Sequence, residues 1–293
     1  MPGKDFLYPR IAFGILAVSF GAIFARLAGE APPFAVAAWR LTLAALVLGS
    51  IALFRKERTL TGRTLAWSIA SGGALAVHFV LWISSLEMTT VASAVLFVST
   101  HPIFVGLGSI LFLRERVSRP LALGIGLAIL GGALIGFGDF RFGGDALRGD
   151  LLALGGGLMA AVYFLIGRRV RRTVSLTEYA AVSYGTASVL VLLLCAATRT
   201  PVLGFAPMTY GYLVLLALIP QVIGHSTINW ALQRLSASRV SVFVLGEPIG
   251  STLLAIPFFG EIPRALNLAG AAIILAGIYL SLRDEEEQGD RKR

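Results

Sequence analysis

A few residues able to do chemistry stand inside stretches of this 293-residue chain that are otherwise apolar. Glu247 lies about nine residues into one of them. A charged, unpaired carboxylate at mid-bilayer costs roughly 2.5–3.5 kcal/mol, so Glu247 must be neutral, paired or hydrated there. It could bind a substrate ammonium, carry a proton, or anchor the bend at Pro248. Arg40, seven residues beyond Pro33, poses the mirror problem. It could hold a substrate carboxylate, pair with a glutamate, or snorkel outward. Gln221, His225 and Asn229 recur at i, i+4 and i+8, on one helix face over about 12 Å. Pro220 loosens the helix just before them. Such a stripe lines a wet cavity or bonds between helices, at about 0.6–2 kcal/mol per contact. His78 and Trp82 share a face one turn apart. Together they suit a flat or apolar substrate group with one polar handle. The plainer reading is a core histidine bonded to a backbone carbonyl beside a packed indole. Tyr163 and Trp230 are further aromatic candidates.

Two prolines add a mechanical element. Pro102 and Pro248 each lack an N–H and free a carbonyl four residues earlier, that of Val98 and of Val244. In lipid a freed carbonyl must find a partner or line a wet cavity. Pro102, Pro248 and Pro220 are therefore candidate gating bends. The absences matter too. None of Lys4, Lys56 and Lys292 follows a phosphate-binding glycine loop, so ATP-driven chemistry is not expected. No motif suggests a metal site, an esterase or a cofactor. Cys195 is the only cysteine, which excludes an intrachain disulfide.

The elements that must position these residues follow from composition. Hydrophobic residues make up 56% of the chain and charged ones 14%, and the mean hydropathy is +0.81. Soluble proteins carry about 25% charge, so the solvent for most of this chain is lipid. A membrane helix needs about 20 mostly apolar residues. Ten stretches qualify: 8–28, 32–54, 64–85, 89–112, 119–138, 149–168, 177–198, 208–232, 238–260 and 264–282. The first lacks a small-x-small cleavage site and reads as a retained span. Placing both termini inside puts 19 of the 25 basic residues on the inner side and five on the outer, with Arg40 within a span. The +9 charge is thus a topology signal, and no nucleic-acid partner is needed to explain it.

The chain also repeats itself. Laid 146 positions apart without a gap, 86–136 and 232–282 are identical at 12 of 51 positions, where composition alone predicts roughly four. The second copy is displaced from the first by five spans, an odd number, so the two face opposite ways. The expected fold is an all-α polytopic membrane protein, with ten transmembrane helices in two inverted five-helix repeats around a central cavity. Residues 1–138 would form the first repeat, 139–148 an outer connecting loop, 149–282 the second repeat and 283–293 a charged, disordered tail. Glu115 and Glu261, matched in the repeat, are expected to cap the span that follows each. Gly132 and Gly136 are expected to allow close helix approach.

Ten spans as inverted repeats, with Pro102 and Glu115 in one half and Glu247, Pro248 and Glu261 in the other, resemble the drug/metabolite transporter superfamily. The glycine-rich fifth and tenth spans (Gly124, Gly126, Gly131, Gly132; Gly270, Gly277) resemble its EamA-type branch. His78 and Trp82 make the chain most similar to the YddG-type amino-acid exporters. That resemblance implies outward movement of aromatic and other neutral amino acids from a central cavity. The halves differ chemically, because His101 stands beside Pro102 where the second half has Glu247. Expected substrate-binding residues are His78, Trp82, His101, Tyr163, Gln221, His225, Asn229 and Trp230, with Glu247 and Arg40 as coupling or charge sites. Efflux of drugs or small metabolites is the alternative. A nucleotide-sugar antiporter ranks below it, because only Arg40 could offer positive charge in the cavity. The expected partners are a small-molecule substrate and the lipid bilayer. A monomer in a bacterial inner membrane is expected, with both termini cytoplasmic and no enzymatic activity.

Overall fold

The structure is a computed structural model describing residues 6–89, 94, 97–137, 144–260, 262–263 and 265–290. Among these residues every regular element is a helix. They are α1 (Leu7–Leu27), α2 (Pro33–Arg55), α3 (Gly62–Met88), α4 (His101–Gly108), α5 (Arg119–Phe137), α6 (Gly144–Val170), α7 (Leu176–Ala197), α8 (Pro207–Ala231), α9 (Ala237–Val244), α10 (Glu247–Phe259) and α11 (Ala265–Asp290). Local chemistry sets many of the starts. Pro33 and Pro207 open α2 and α8 at first-turn positions, where a missing N–H costs nothing. Thr61 and Thr64 form a reciprocal capping box at α3. Ser175 and Ser236 cap α7 and α9 through their hydroxyls. The charged segment from Arg283 continues the α11 helix to Asp290, and α6 begins inside the stretch expected as the outer loop.

Among the described residues, seven helical runs are long and apolar enough to cross a membrane: α1, α2, α3, α6, α7, α8 and the run Ala237–Phe259 made by α9 and α10. Three shorter apolar helices, His101–Leu113, Arg119–Leu134 and Ala265–Ser281, fall where the fourth, fifth and tenth spans are expected. Large apolar side chains such as Leu46, Leu111, Leu193 and Leu275 point outward, as a lipid solvent allows. The chain is a multi-pass membrane protein.

Two helices depart from α geometry. In α8, Ala217–His225 is π-helical around Pro220. After α4 the chain makes a π turn over Ser109–Leu113. Proline frees a carbonyl and π turns absorb the mismatch, so these are places where a helix can bend. α9 and α10 are separated at Leu245 and Gly246, immediately before Glu247 and Pro248. In the first half the matching proline sits in the first turn of α4. The carbonyl it frees, that of Val98, lies 3.1 Å from His101 Nδ1 and bonds to it.

Helix contacts pair distant parts of the chain. α2 packs along α7, α3 along α6 and α7, α1 along the π stretch of α8 and α10, and α5 along α11. The α2–α7 seam carries a hydroxyl bond of 2.6 Å between Thr42 and Ser188, two residues 146 positions apart. In the α5–α11 seam Gly124 meets Gly277 and Gly131 meets Gly270, so the two helices run antiparallel. A Cβ at Gly277 would lie 2.6 Å from the Gly124 carbonyl oxygen. Only glycine lets the two backbones touch. Gly132, expected to make such an approach, has nothing within 4 Å of its Cβ position. The close face lies one residue earlier, at Gly131.

Candidate functional site

Helices from both halves of the chain line one cavity. Eight of the expected residues line it: Arg40, His78, Trp82, His101, Tyr163, His225, Glu247 and Pro248. α2, α3, α4, α6, α8 and α10 each contribute at least one of them.

The walls are aromatic and tightly positioned. His78 and Trp82 stack with planes 3° apart and centroids 6.4 Å apart. His78 Nδ1 lies 2.9 Å from the Gly156 carbonyl, which ties α3 to α6. At Gly156 a Cβ would find ordinary contact with the α3 backbone, 3.4 Å from the Trp82 nitrogen. His101 stacks on Phe164 at 5.6 Å. Phe79 meets the His225 ring edge-on at 5.7 Å. Trp82 Nε1 is buried with no partner among the described residues. An orphaned donor costs about 1–3 kcal/mol, which a water or polar ligand group would recover.

The charged groups are held differently. The Arg40 guanidinium lies over the face of Phe79, 4.3 Å from the ring centroid. Its Nε donates to Gln221 Oε1 at 2.6 Å. Gln221 therefore stands behind the cavity and orients Arg40. Asn229 also sits behind the wall, where its Nδ2 donates to the Tyr163 hydroxyl at 2.6 Å and the Tyr184 hydroxyl at 3.1 Å. Of the α8 stripe only His225 reaches the cavity. Pro102 and Pro220 are buried but do not line it. Trp230 is elsewhere: its ring lies 4.1 Å from the Arg10 guanidinium and 4.0 Å from that of Arg234. Cation–π attraction and an amphipathic indole favour that charged flank over the cavity.

Several residues escaped the sequence reading. Phe79 and Phe164 form much of the aromatic wall, and Tyr184 supports it from behind. Arg171, one of a run of arginines, is buried and donates to the backbone carbonyls of Asn229 and Val174 and to Gln233 Oε1. Burial pushes its pKa down to about 10, which leaves it charged at neutral pH. Glu115 does not cap the span that follows it. Its Oε1 accepts from Arg168 at 2.7 Å and Arg172 at 3.1 Å, and its Oε2 accepts from the Ala237 N–H at 3.3 Å. It thus caps α9, in the other half, where an anion meets the positive end of a helix. Glu261 lies outside the described residues.

Known proteins resemble the chain along nearly its whole length. A transporter of uncharacterised function from Archaeoglobus fulgidus is 26% identical over 266 residues, covering 88% of this chain and 90% of its own. A probable terminal-alkyne amino-acid exporter from Streptantibioticus cattleyicolor is 27% identical over 195 residues, 64% of this chain and 63% of its own. A solved crystal structure, 22% identical, superposes with a TM-score of 0.81 over 95% of this chain and 97% of that one, which shows a shared fold. The sequence pattern of one family matches twice in succession, over residues 10–137 and again over 147–283, and on that match the chain belongs to the EamA-like transporter family, within the drug/metabolite transporters.

Proposed function

We propose that the protein is a secondary transporter that exports neutral amino acids, aromatic ones among them, or closely related metabolites, by alternating access. The observation that carries this is the cavity: aromatic walls and a few polar groups, drawn from helices of both halves. Apolar walls favour a substrate side chain, while the polar groups hold its hydrophilic end. The similarity to a probable amino-acid exporter supports the same substrate class.

The architecture behind it is ten spans in two inverted five-helix repeats. Two packing features support this. Gly124 with Gly277 and Gly131 with Gly270 are the same pair, once each residue is moved by the repeat offset of 146 positions. Thr42 bonds to its own repeat mate, Ser188, as residues beside a pseudo-two-fold axis can. Rocking of the halves at Pro102 and Pro248 would expose the cavity to each side in turn. The bilayer is a bacterial inner membrane with both chain termini in the cytoplasm. The protein works as a monomer, without cofactor and without enzymatic chemistry.

Two experiments test the reading. Labelled amino acids should cross proteoliposome membranes containing the protein faster than those of empty vesicles, and equal rates would end the amino-acid assignment. Cysteines placed at Glu115 and Glu261, after replacement of Cys195, should react with impermeant thiol reagents from opposite faces. Labelling of both from one face would end the inverted repeat. Efflux of apolar drugs is the second reading, favoured by the predominantly apolar cavity wall. Enhanced drug resistance of a pump-deficient strain, with no amino-acid transport, would support it instead.

A further inference from the structure

We infer that the cavity recognises its substrate at two charged points, Arg40 taking an α-carboxylate and Glu247 an α-ammonium, so that the ligand must be a zwitterion. This deepens the proposed function and rests on it. Both residues line the same cavity, yet no ion pair joins them. Arg40 is 2% exposed, and its position is over-determined. Gln221 holds its Nε and the Phe79 ring lies against its guanidinium face. Its two terminal nitrogens have no acceptor among the described residues. They are the end-on fork that binds a carboxylate through two parallel hydrogen bonds. The Glu247 carboxylate likewise has no donor among the described residues, while the backbone carbonyl of Glu247 is fixed by the Ser19 hydroxyl at 3.3 Å.

Two opposite charges that line one apolar cavity without forming an ion pair carry a desolvation cost that Gln221 and Phe79 offset only in part, and only for Arg40. A ligand with one charge relieves half of it and leaves the other group stranded. A ligand with both charges a short distance apart relieves all of it. An α-amino acid is such a ligand, and its side chain is left to the ring faces of Trp82 and Phe164. The two halves contribute unequally: the mate of Glu247 is His101, and the mate of Arg40 is Thr186. The substrate therefore lies in one orientation, carboxylate toward α2 and ammonium toward α10. Gln221 and Phe79 are positioning residues, acting through Arg40.

The test uses the purified full chain and direct binding measurements with L-phenylalanine, L-methionine and L-threonine. Each is compared with its amide, which lacks the carboxylate charge, its decarboxylated amine, and its deaminated acid. The best-binding amino acid should outbind all three of its analogues by about 30-fold or more, the range for removing one partner of a buried charge pair. Arg40→Gln should erase the preference over the amine, and Glu247→Gln the preference over the acid. Gln221→Leu should weaken amino-acid binding but not amine binding. An amide that binds the wild-type protein as tightly as its amino acid overturns the clamp and leaves amino-acid export standing. A wild-type protein that binds none of these three, nor any other neutral amino acid, overturns the amino-acid assignment itself. The analogue series on the wild-type protein decides the matter even if a variant fails to fold.

Discussion

His78 and Trp82 show how one cavity wall divides its duties. The imidazole is tied to Gly156 and joins two helices, whereas the indole N–H is tied to nothing among the described residues. Trp82→Phe keeps a six-membered aromatic ring and removes the pyrrole portion with its orphaned donor. Thermal melts in detergent should show equal or higher stability, and substrate binding should weaken. His78→Ala should lower both, because it strands the Gly156 carbonyl at a cost of about 1–3 kcal/mol. Equal melting losses in the two variants would make Trp82 a packing residue only. Glu247 supports a pH prediction. A carboxylate that holds an ammonium can instead hold a proton, so substrate and proton compete for it. Transport should fall as the pH drops and Glu247 becomes neutral. Glu247→Gln should slow transport and flatten that profile, and an unchanged profile would leave Glu247 a structural anchor for Pro248.

Helix packing tests the glycines. Gly131 and Gly132 are neighbours in sequence, yet only Gly131 meets the α11 backbone. Gly131→Val should destabilise by about 1–3 kcal/mol through overpacking. Gly132→Ala should be neutral or gain about 0.5–1 kcal/mol, since it restores helix propensity in open space. Melting temperatures of the two variants decide this, and similar losses would refute the seam. This difference was not legible in the sequence. A membrane helix is apolar all round, so its pattern marks a span without saying which face meets protein and which meets lipid. The stripe Gln221, His225 and Asn229 was legible as one face. Its division into one cavity residue and two supporting residues was not, because the supports bond to Arg40 and to Tyr163 and Tyr184, far away in the chain.

Across the whole molecule the two halves are joined at one end by Glu115 of the first half, which binds the end of α6 and the start of α9, both in the second. An alternating mechanism must break such contacts between its states. Reversal of the charge by Glu115→Arg should therefore stop transport while the protein still inserts. Glu115→Arg combined with Arg168→Glu should recover part of it, as read by proteoliposome uptake. A double variant no better than the single one would reduce the cluster to surface charge, worth little.

Composition and self-similarity alone determined that lipid is the solvent, where most of the long helices run, and that the chain is doubled with Pro102 and Pro248, and Glu115 and Glu261, in register. Each of these follows from local properties: residue polarity, helix rise and the self-similarity of the sequence. The tertiary structure decided which residues share the cavity. It brought in Phe79 and Phe164, sent Trp230 to a pair of arginines, and gave Glu115 to the opposite half. Those outcomes depend on helices more than a hundred residues apart choosing one another. In a chain that is apolar on every side, that choice rests on close glycine contacts and a few buried hydrogen bonds, which leave no periodic mark in the sequence.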